Sequence, residues 1–407
     1  MKLKTVLTLA GVASIASATA QGLYQAGQES GDSMPITWQV GANMIWDDNV
    51  FPVQGSDDKA WSINPYVQAN FTNVDPRTTM DFYTRLGVNY YLETLDAVNP
   101  IDGTPESADE VVPSMRLGFN LNHSANERLK FISQNFVAYE MEPEFAFGVS
   151  NDRTSDAYFM YNSDNSVGYR WSARVGSYTG LGFNGLLTDG GDRRSVTAYH
   201  QMRYQFDQRT VFTGQYRHTS WTGDASDSTN HFISGGVEHR LSQTSIFLGN
   251  AGVQLRSVDN GGDNTSPYVE GSVSTRLTSS FGVKAFTRYS MEDFNTIQQI
   301  DGTLYEYSGL KVLRVGLTGD YRISPRVTGF GGLDVVHSSF EDGKEVNGDA
   351  VDSGRTENML NGYIGLRAQL TDDMMGNCTI NYTKSISDYS NNDYDRLRLS
   401  AGVSYAF

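Results

Sequence analysis

Six histidines, one cysteine and a large set of arginines are the residues with which this chain of 407 residues could do chemistry. The histidines are His123, His200, His218, His231, His239 and His337, and their spacing forms no zinc pattern. His231 and His239 stand eight residues apart, which is about 26 Å along an extended strand. His200, on an apolar strand face, is the one hint of a Ser–His lipase at a lipid-facing rim. An interfacial histidine without a catalytic role is the more ordinary reading. The sequence has no nucleophile elbow, phosphate-binding glycine loop or Cys-x-x-Cys. Asp189-Gly190-Gly191-Asp192 and Asn260-Gly261-Gly262-Asp263-Asn264 look superficially like calcium loops, but neither continues into the spacing and distal Glu of an EF-hand. Solvated turns account for them. Nothing here points to an enzyme, a cofactor or a resident metal.

The arginines are more informative. Arg85, Arg116, Arg170, Arg174, Arg203, Arg288, Arg314 and Arg367 fall on the polar face of segments whose other face is apolar. Arg217, Arg240, Arg256, Arg276, Lys284, Arg322, Arg396 and Arg398 extend the set. Acids on the same faces are fewer: Asp81, Glu93, Glu238, Glu270, Asp320 and Asp334. The excess acid is expected in loops, as in 102–110, 140–144 and 341–352. A basic wall around a narrow aqueous channel raises the local anion concentration. Acidic loops at its mouth would repel anions or bind divalent cations beside anionic headgroups. The alternative is that these arginines brace neighbouring strands through the few facing acids, and both readings stay open at this point.

The elements that must position these residues repeat with period two. Met80, Phe82, Thr84, Leu86, Val88, Tyr90 and Leu92 share one face, and Asp81, Tyr83, Arg85, Gly87, Asn89, Tyr91 and Glu93 the other. The same alternation runs through 37–46, 167–176, 313–323 and 396–407. A helix would need apolar residues three and four apart. Aromatics gather near strand ends, as at Trp38, Trp46, Tyr90, Trp171, Tyr204, Tyr321, Tyr405 and Phe407, which suits interfacial girdles better than the general strand preference of aromatics.

Connections alternate between short and long. Short turns are expected at 72–77, 124–127, 162–166, 207–209, 242–244, 278–280, 324–326 and 371–373. Long ones are expected at 47–59, 94–110, 188–193, 259–264, 292–303, 341–356 and 388–395. Eight short turns with both termini on their side imply an all-β, transmembrane, antiparallel up-and-down barrel of 18 strands. If 142–166 is all loop, the number falls to 16. A soluble sandwich or propeller would have shorter strands with apolar faces turned inward.

The N-terminus agrees. Lys2 and Lys4 precede an apolar run from Thr5 to Ile15 and small-x-small patterns ending at Ala20, the layout of a secretory signal peptide. A membrane anchor would need a longer run. Residues 1–20 are read as this signal, 21–35 as a periplasmic segment and 36–407 as the barrel. Removing 20 of 407 residues leaves 387, with 29 Lys and Arg against 47 Asp and Glu, a net charge of −18. That balance excludes a general nucleic-acid binder. The lone Cys378 cannot make an intrachain disulfide, so in an oxidising compartment stability must come from elsewhere.

The final strand, Leu397 to Phe407, resembles the terminal signal of bacterial outer-membrane proteins. The resemblance implies that Tyr405 and Phe407 are recognised by the barrel assembly machinery. Trp38 to Phe51, with Asp47-Asp48-Asn49-Val50-Phe51, and strand–turn units such as Tyr321 to Val327 resemble a family of bacterial outer-membrane β-barrel porins. That resemblance implies a large barrel and a pore and carries over no catalytic residue. The expectation is an outer-membrane channel for passive diffusion of small hydrophilic solutes, anion-preferring, narrowed by a folded-in loop from 94–110, 140–152 or 341–356. The rival is a closed structural or adhesive barrel acting through long acidic loops. Homo-oligomers are common among porins, and the sequence reveals no interface.

Overall fold

Strands that alternate apolar and polar side chains, each too long to end inside a membrane, can satisfy their backbone only by closing on themselves. A computed structural model of the chain describes residues 36–50, 59–93, 95–98, 105–108, 110–140, 158–188, 191–223, 227–259, 262–292, 297–300, 303–345, 351–352, 354–388 and 393–407. The expected signal peptide, 1–20, and the expected periplasmic segment, 21–35, lie outside the described residues.

Eighteen strands make the barrel: β1 (Thr37–Asp47), β2 (Ala60–Val74), β3 (Thr78–Tyr91), β4 (Val111–Ser124), β5 (Leu129–Glu140), β6 (Tyr158–Arg170), β7 (Val175–Thr188), β8 (Gly191–Gln205), β9 (Thr210–Gly223), β10 (Ser228–Ser242), β11 (Ser245–Val258), β12 (Gly262–Arg276), β13 (Phe281–Met291), β14 (Thr303–Ser324), β15 (Val327–Glu345), β16 (Arg355–Gln369), β17 (Met374–Ser387) and β18 (Tyr394–Ala406). Each pairs antiparallel with its sequence neighbours, and β18 returns to β1 through Gln39↔Ala406 to Asp47↔Arg398, so no edge is left. This is the closure expected of the last strand. Ile297–Ile300 adds a short pairing to β14, Val351–Asp352 one to β15, and Leu95–Val98 pairs with Pro105–Ala108 in a separate hairpin.

Turns of two to four residues lie on one side of the barrel. Seven of the eight coincide with the expected ones. The eighth is a correction: 162–166 is inside β6, and the chain turns at 171–174 instead. Here Trp171 and Ser172 donate their N–H groups to the Val175 carbonyl, and the Ser172 hydroxyl accepts from Val175 N–H. On the other side, two expected long loops are tight. β7 and β8 are separated by 189–190, and β12 begins at Gly262. Asp192 and Asp263 are therefore strand residues.

The outer face carries the apolar side chains, with Trp171 60% and Phe407 67% exposed at the short-turn rim. Trp171 lies edge-on to Tyr169 at 4.7 Å, and its Nε1 donates to Ser177. This is an aromatic girdle with a polar handle. The closing seam is polar on the inside. Arg396 donates through Nε to both Asp47 oxygens, at 2.9 and 3.1 Å, and Arg398 Nε lies 3.3 Å from Asp47 Oδ2. Asn49 Nδ2 donates to the Asp395 carbonyl at 2.9 Å.

Candidate permeation pathway

Two stations of charge and aromatic rings line the inner face. The first is on β1 to β5. Pro65 has no N–H, and the β2–β3 register skips from Ile63↔Tyr90 to Tyr66↔Gly87. Asn64 fills the gap by donating to the Val88 carbonyl at 3.2 Å, and its Oδ1 accepts from Arg85 at 2.9 Å. Arg85 lies over the Tyr66 ring at 3.8 Å, a cation–π contact. The ring in turn lies against Gly41 of β1, where an added Cβ would stand 2.6 Å from the phenol carbon Cζ. Glycine on the inner face thus makes room for flat aromatics. On the next strand, Arg116, the cross-strand partner of Arg85, is paired with Glu140 at the end of β5.

The second station runs from β9 to β14. Arg217 lies over Phe232 at 3.8 Å and near Tyr268 at 5.6 Å. Tyr268 donates to Glu270 at 2.5 Å. Glu270 is cross-paired with Arg288, and Arg288 with Arg314. Arg314 donates from Nε and Nη2 to the two oxygens of Glu292, at 2.9 and 2.8 Å. Glu292 follows a strand end that parts from β12 but stays on β14, with Ser290 opposite Val312, Met291 opposite Lys311 and Glu292 N–H donating to the Leu310 carbonyl at 2.8 Å. The β12–β13 pairing stops at Val269↔Tyr289. Beyond it, Met291 N–H donates to the Gln254 side chain at 2.8 Å, and Gln254 Nε2 donates to the Met291 carbonyl at 3.0 Å. Gln254 is an inner-face residue of β11, two strands away. Met291 is therefore tied across β12 to β11, beside the buried Ser266, the cross-strand partner of Gln254. This tied strand end forms a shelf on the inner side of the wall. It is not one of the three segments expected to fold in, and most of those three lie outside the described residues.

Of the eight arginines singled out, Arg85, Arg116, Arg288, Arg314 and Arg367 lie on the inner face at these stations or beside them, Arg367 near Phe330 at 5.1 Å. Arg288 Nε donates to Ser290 at 3.1 Å. Arg170 ends β6 at the short-turn rim and is exposed. Arg174 is corrected: it sits in the turn after β6, not on a strand. Arg203 is on the inner face, but its side chain is fully buried, paired with Glu238 and donating to Gln201 at 2.7 Å. It braces the wall and does not meet water.

The expected charge separation changes as well. Asp47, Glu140 and Glu292, assigned to loops on sequence, stand at strand ends on the inner side and face Arg396, Arg116 and Arg314. Arg355 and Glu357 on β16 make a further ion pair. Much of the basic wall is thus locally balanced. The signal that would have found these acids is strand length, since each lies one or two residues from where its strand was expected to stop.

Outside the membrane-spanning strands, two carboxylates are stabilised in the charged form. Asp207, in the β8–β9 turn, accepts from the N–H groups of Arg209 and Thr210, at 2.7 Å each. The Arg209 bond leads in holding its carboxyl below the ordinary range. Asp388, beyond β17, accepts from Thr356 N–H at 2.7 Å and from its hydroxyl at 2.9 Å, with the same result.

No family model matches the chain, and no curated protein sequence matches it. Among solved structures, the chain is similar to OpdK of Pseudomonas aeruginosa, determined with vanillate, at 12% identity and a TM-score of 0.47 over 93% of this chain and 100% of that one. It is similar to OccAB4 of Acinetobacter baumannii at 12% identity and a TM-score of 0.45, over 92% and 99% of the two chains. It is also similar to the FrpB iron transporter of Neisseria meningitidis at 10% identity and a TM-score of 0.47, over 92% and 83%.

Proposed function

We propose that this barrel is an outer-membrane channel for passive diffusion of small hydrophilic solutes. The observation that carries the reading is a closed ring of eighteen strands with an apolar outer face and a charged, aromatic and amide-rich inner face. Strands about 4.8 Å apart and tilted by about 40° place this ring on a circle of about 18 Å radius. Inward side chains reaching about 6 Å still leave about 24 Å across, so the wall cannot fill its own lumen. The short turns face the periplasm and the long connections the exterior. Tyr405 and Phe407, stacked 6.4 Å apart at the rim, are the mark read by the assembly machinery, and the apolar belt is the lipid contact.

Anion preference rests on fewer residues than the sequence suggests. Arg85, Arg217 and Arg367 lie on aromatic rings, Arg85 also donating to the Asn64 amide, whereas Arg116, Arg203 and Arg314 are held by carboxylates. The test is swelling of liposomes carrying the refolded protein in isotonic sugars and organic anions. Swelling that falls with solute size, and is faster for anions than for cations of equal size, supports the reading. Liposomes that do not swell in any solute refute it.

One observation favours a second reading, a barrel closed towards its long-loop end. Phe136, Ala138, Tyr158, Met160 and Leu186 form one buried inner-face cluster, and Leu310, Val312, Val336, Phe340 and Met359 with Tyr307 form another on the opposite wall. Apolar side chains at 8% exposure or less do not border free water. A wild type that never swells liposomes but conducts after removal of 141–157 would establish it.

A further inference from the structure

The outer face of β9 and β10 carries two histidines that the channel reading does not use. His218 and His231 are direct cross-strand partners. Their inner-facing neighbours are Arg217 and the buried Phe232, so both imidazoles point outward, and both are half-buried. Their ring centroids are 4.8 Å apart while the facing Nδ1 atoms are 3.4 Å apart, so the rings converge on their nitrogen edges. With metal–nitrogen bonds of about 2.05 Å, that separation subtends about 112° at a shared ion, against about 109° for a tetrahedron. Tyr216 Oη is 2.9 Å from His231 Nδ1 and adds an oxygen donor beside the pair.

The height of the pair on the barrel makes it accessible. Towards the short turns, the next outward cross-strand pairs are Tyr216↔Ile233 and Gly214↔Gly235, then Phe212↔Val237, all part of the apolar belt. Towards the long loops, the next pair is Ser220↔Thr229. The imidazoles therefore stand at the upper edge of the belt, where headgroups and water meet. We propose that His218 and His231 form a two-imidazole chelate for a divalent transition metal of the zinc type, with the remaining coordination positions open to solvent. The antiparallel register fixes the bite, so binding needs no rearrangement of the backbone. Neutral imidazoles are the ligands, and acid weakens the site by protonating them.

The experiment is calorimetric titration of tag-free, detergent-refolded protein with Zn2+, since an affinity tag would bind the ion itself. One Zn2+ per chain is expected, with affinity falling by more than about tenfold in His218→Ala and in His231→Ala. His200→Ala, on the same outer face but bonded to Thr179 at 2.8 Å, is expected to bind as the wild type does. Heat-modifiable mobility establishes that each variant is folded. The proposal is overturned if the wild type takes up no Zn2+. It is also overturned if the His218→Ala/His231→Ala double variant gives the wild-type isotherm, which would place the ion on loop carboxylates.

Discussion

Replacing Glu292 with Gln tests whether the shelf limits the channel. Glu292 and Arg314 are each 8% exposed in their side chains and share two bonds at 2.9 and 2.8 Å. Gln keeps one acceptor but turns an NH2 group towards the guanidinium, so one bond is lost and two donors face each other. Breaking a buried pair costs about 3–5 kcal/mol, and the wet side of a barrel places this one at the lower end. A loss of about 3 kcal/mol weakens the hold of Arg314 on Glu292 about 150-fold. The backbone pairing to β14 and the two Gln254–Met291 bonds remain in that variant, the latter contributing about 0.5–1.5 kcal/mol each. Single-channel recording of Glu292→Gln should show larger or more frequent wide-open events. Glu292→Gln/Gln254→Ala should hold the wide level throughout, and Glu292→Asp should stay near the wild type. If the double variant is folded and its conductance matches the wild type, the shelf does not limit the pore and the reasoning fails.

Asp47→Asn removes the carboxylate shared by Arg396 and Arg398 at the β1–β18 seam, and should lower stability by about 3 kcal/mol. Urea titration of the barrel folded into vesicles, with tryptophan fluorescence as the readout, checks this, and an unchanged midpoint speaks against a closing role. The carboxyl of Asp207 is depressed in the folded state, so its stabilisation is complete above the ordinary carboxylate value of about 3.9 and fades as pH falls through the lowered folded value. Asp207→Asn should flatten that part of the pH–stability profile, and a profile that keeps its acid limb would assign the effect to other groups. Neutralising Arg85, Arg217 and Arg367 together should lower the anion-to-cation permeability ratio several-fold by reversal potential, whereas Arg203→Gln should reduce stability and leave the ratio alone.

The barrel itself is legible because lipid and lumen impose opposite demands on alternate residues. Where that demand is locally suspended, the reading slips. Ser163 and Asn165 face outward on β6, yet with Ser133 and Asn135 of β5 they form a closed set of hydrogen bonds at 2.6–2.8 Å. Polar residues on both faces imitate a turn, so 162–166 reads as one. The real turn hides because Trp171, Ala173 and Val175 carry the alternation through it. The pathway is less legible than the wall. Which arginines meet solute depends on carboxylates from strands up to 349 positions away, as with Arg396 and Asp47. The shelf depends on one amide, Gln254, reaching a backbone two strands over. Neither has a local sequence signature.

The central claim is that this barrel conducts. Planar-bilayer recording of the refolded protein, without residues 1–20, tests it most directly. The account predicts stepwise ion conductance, with a reversal potential under a salt gradient displaced towards that of the anion. Repeated incorporation of folded barrels with no conductance steps would contradict it.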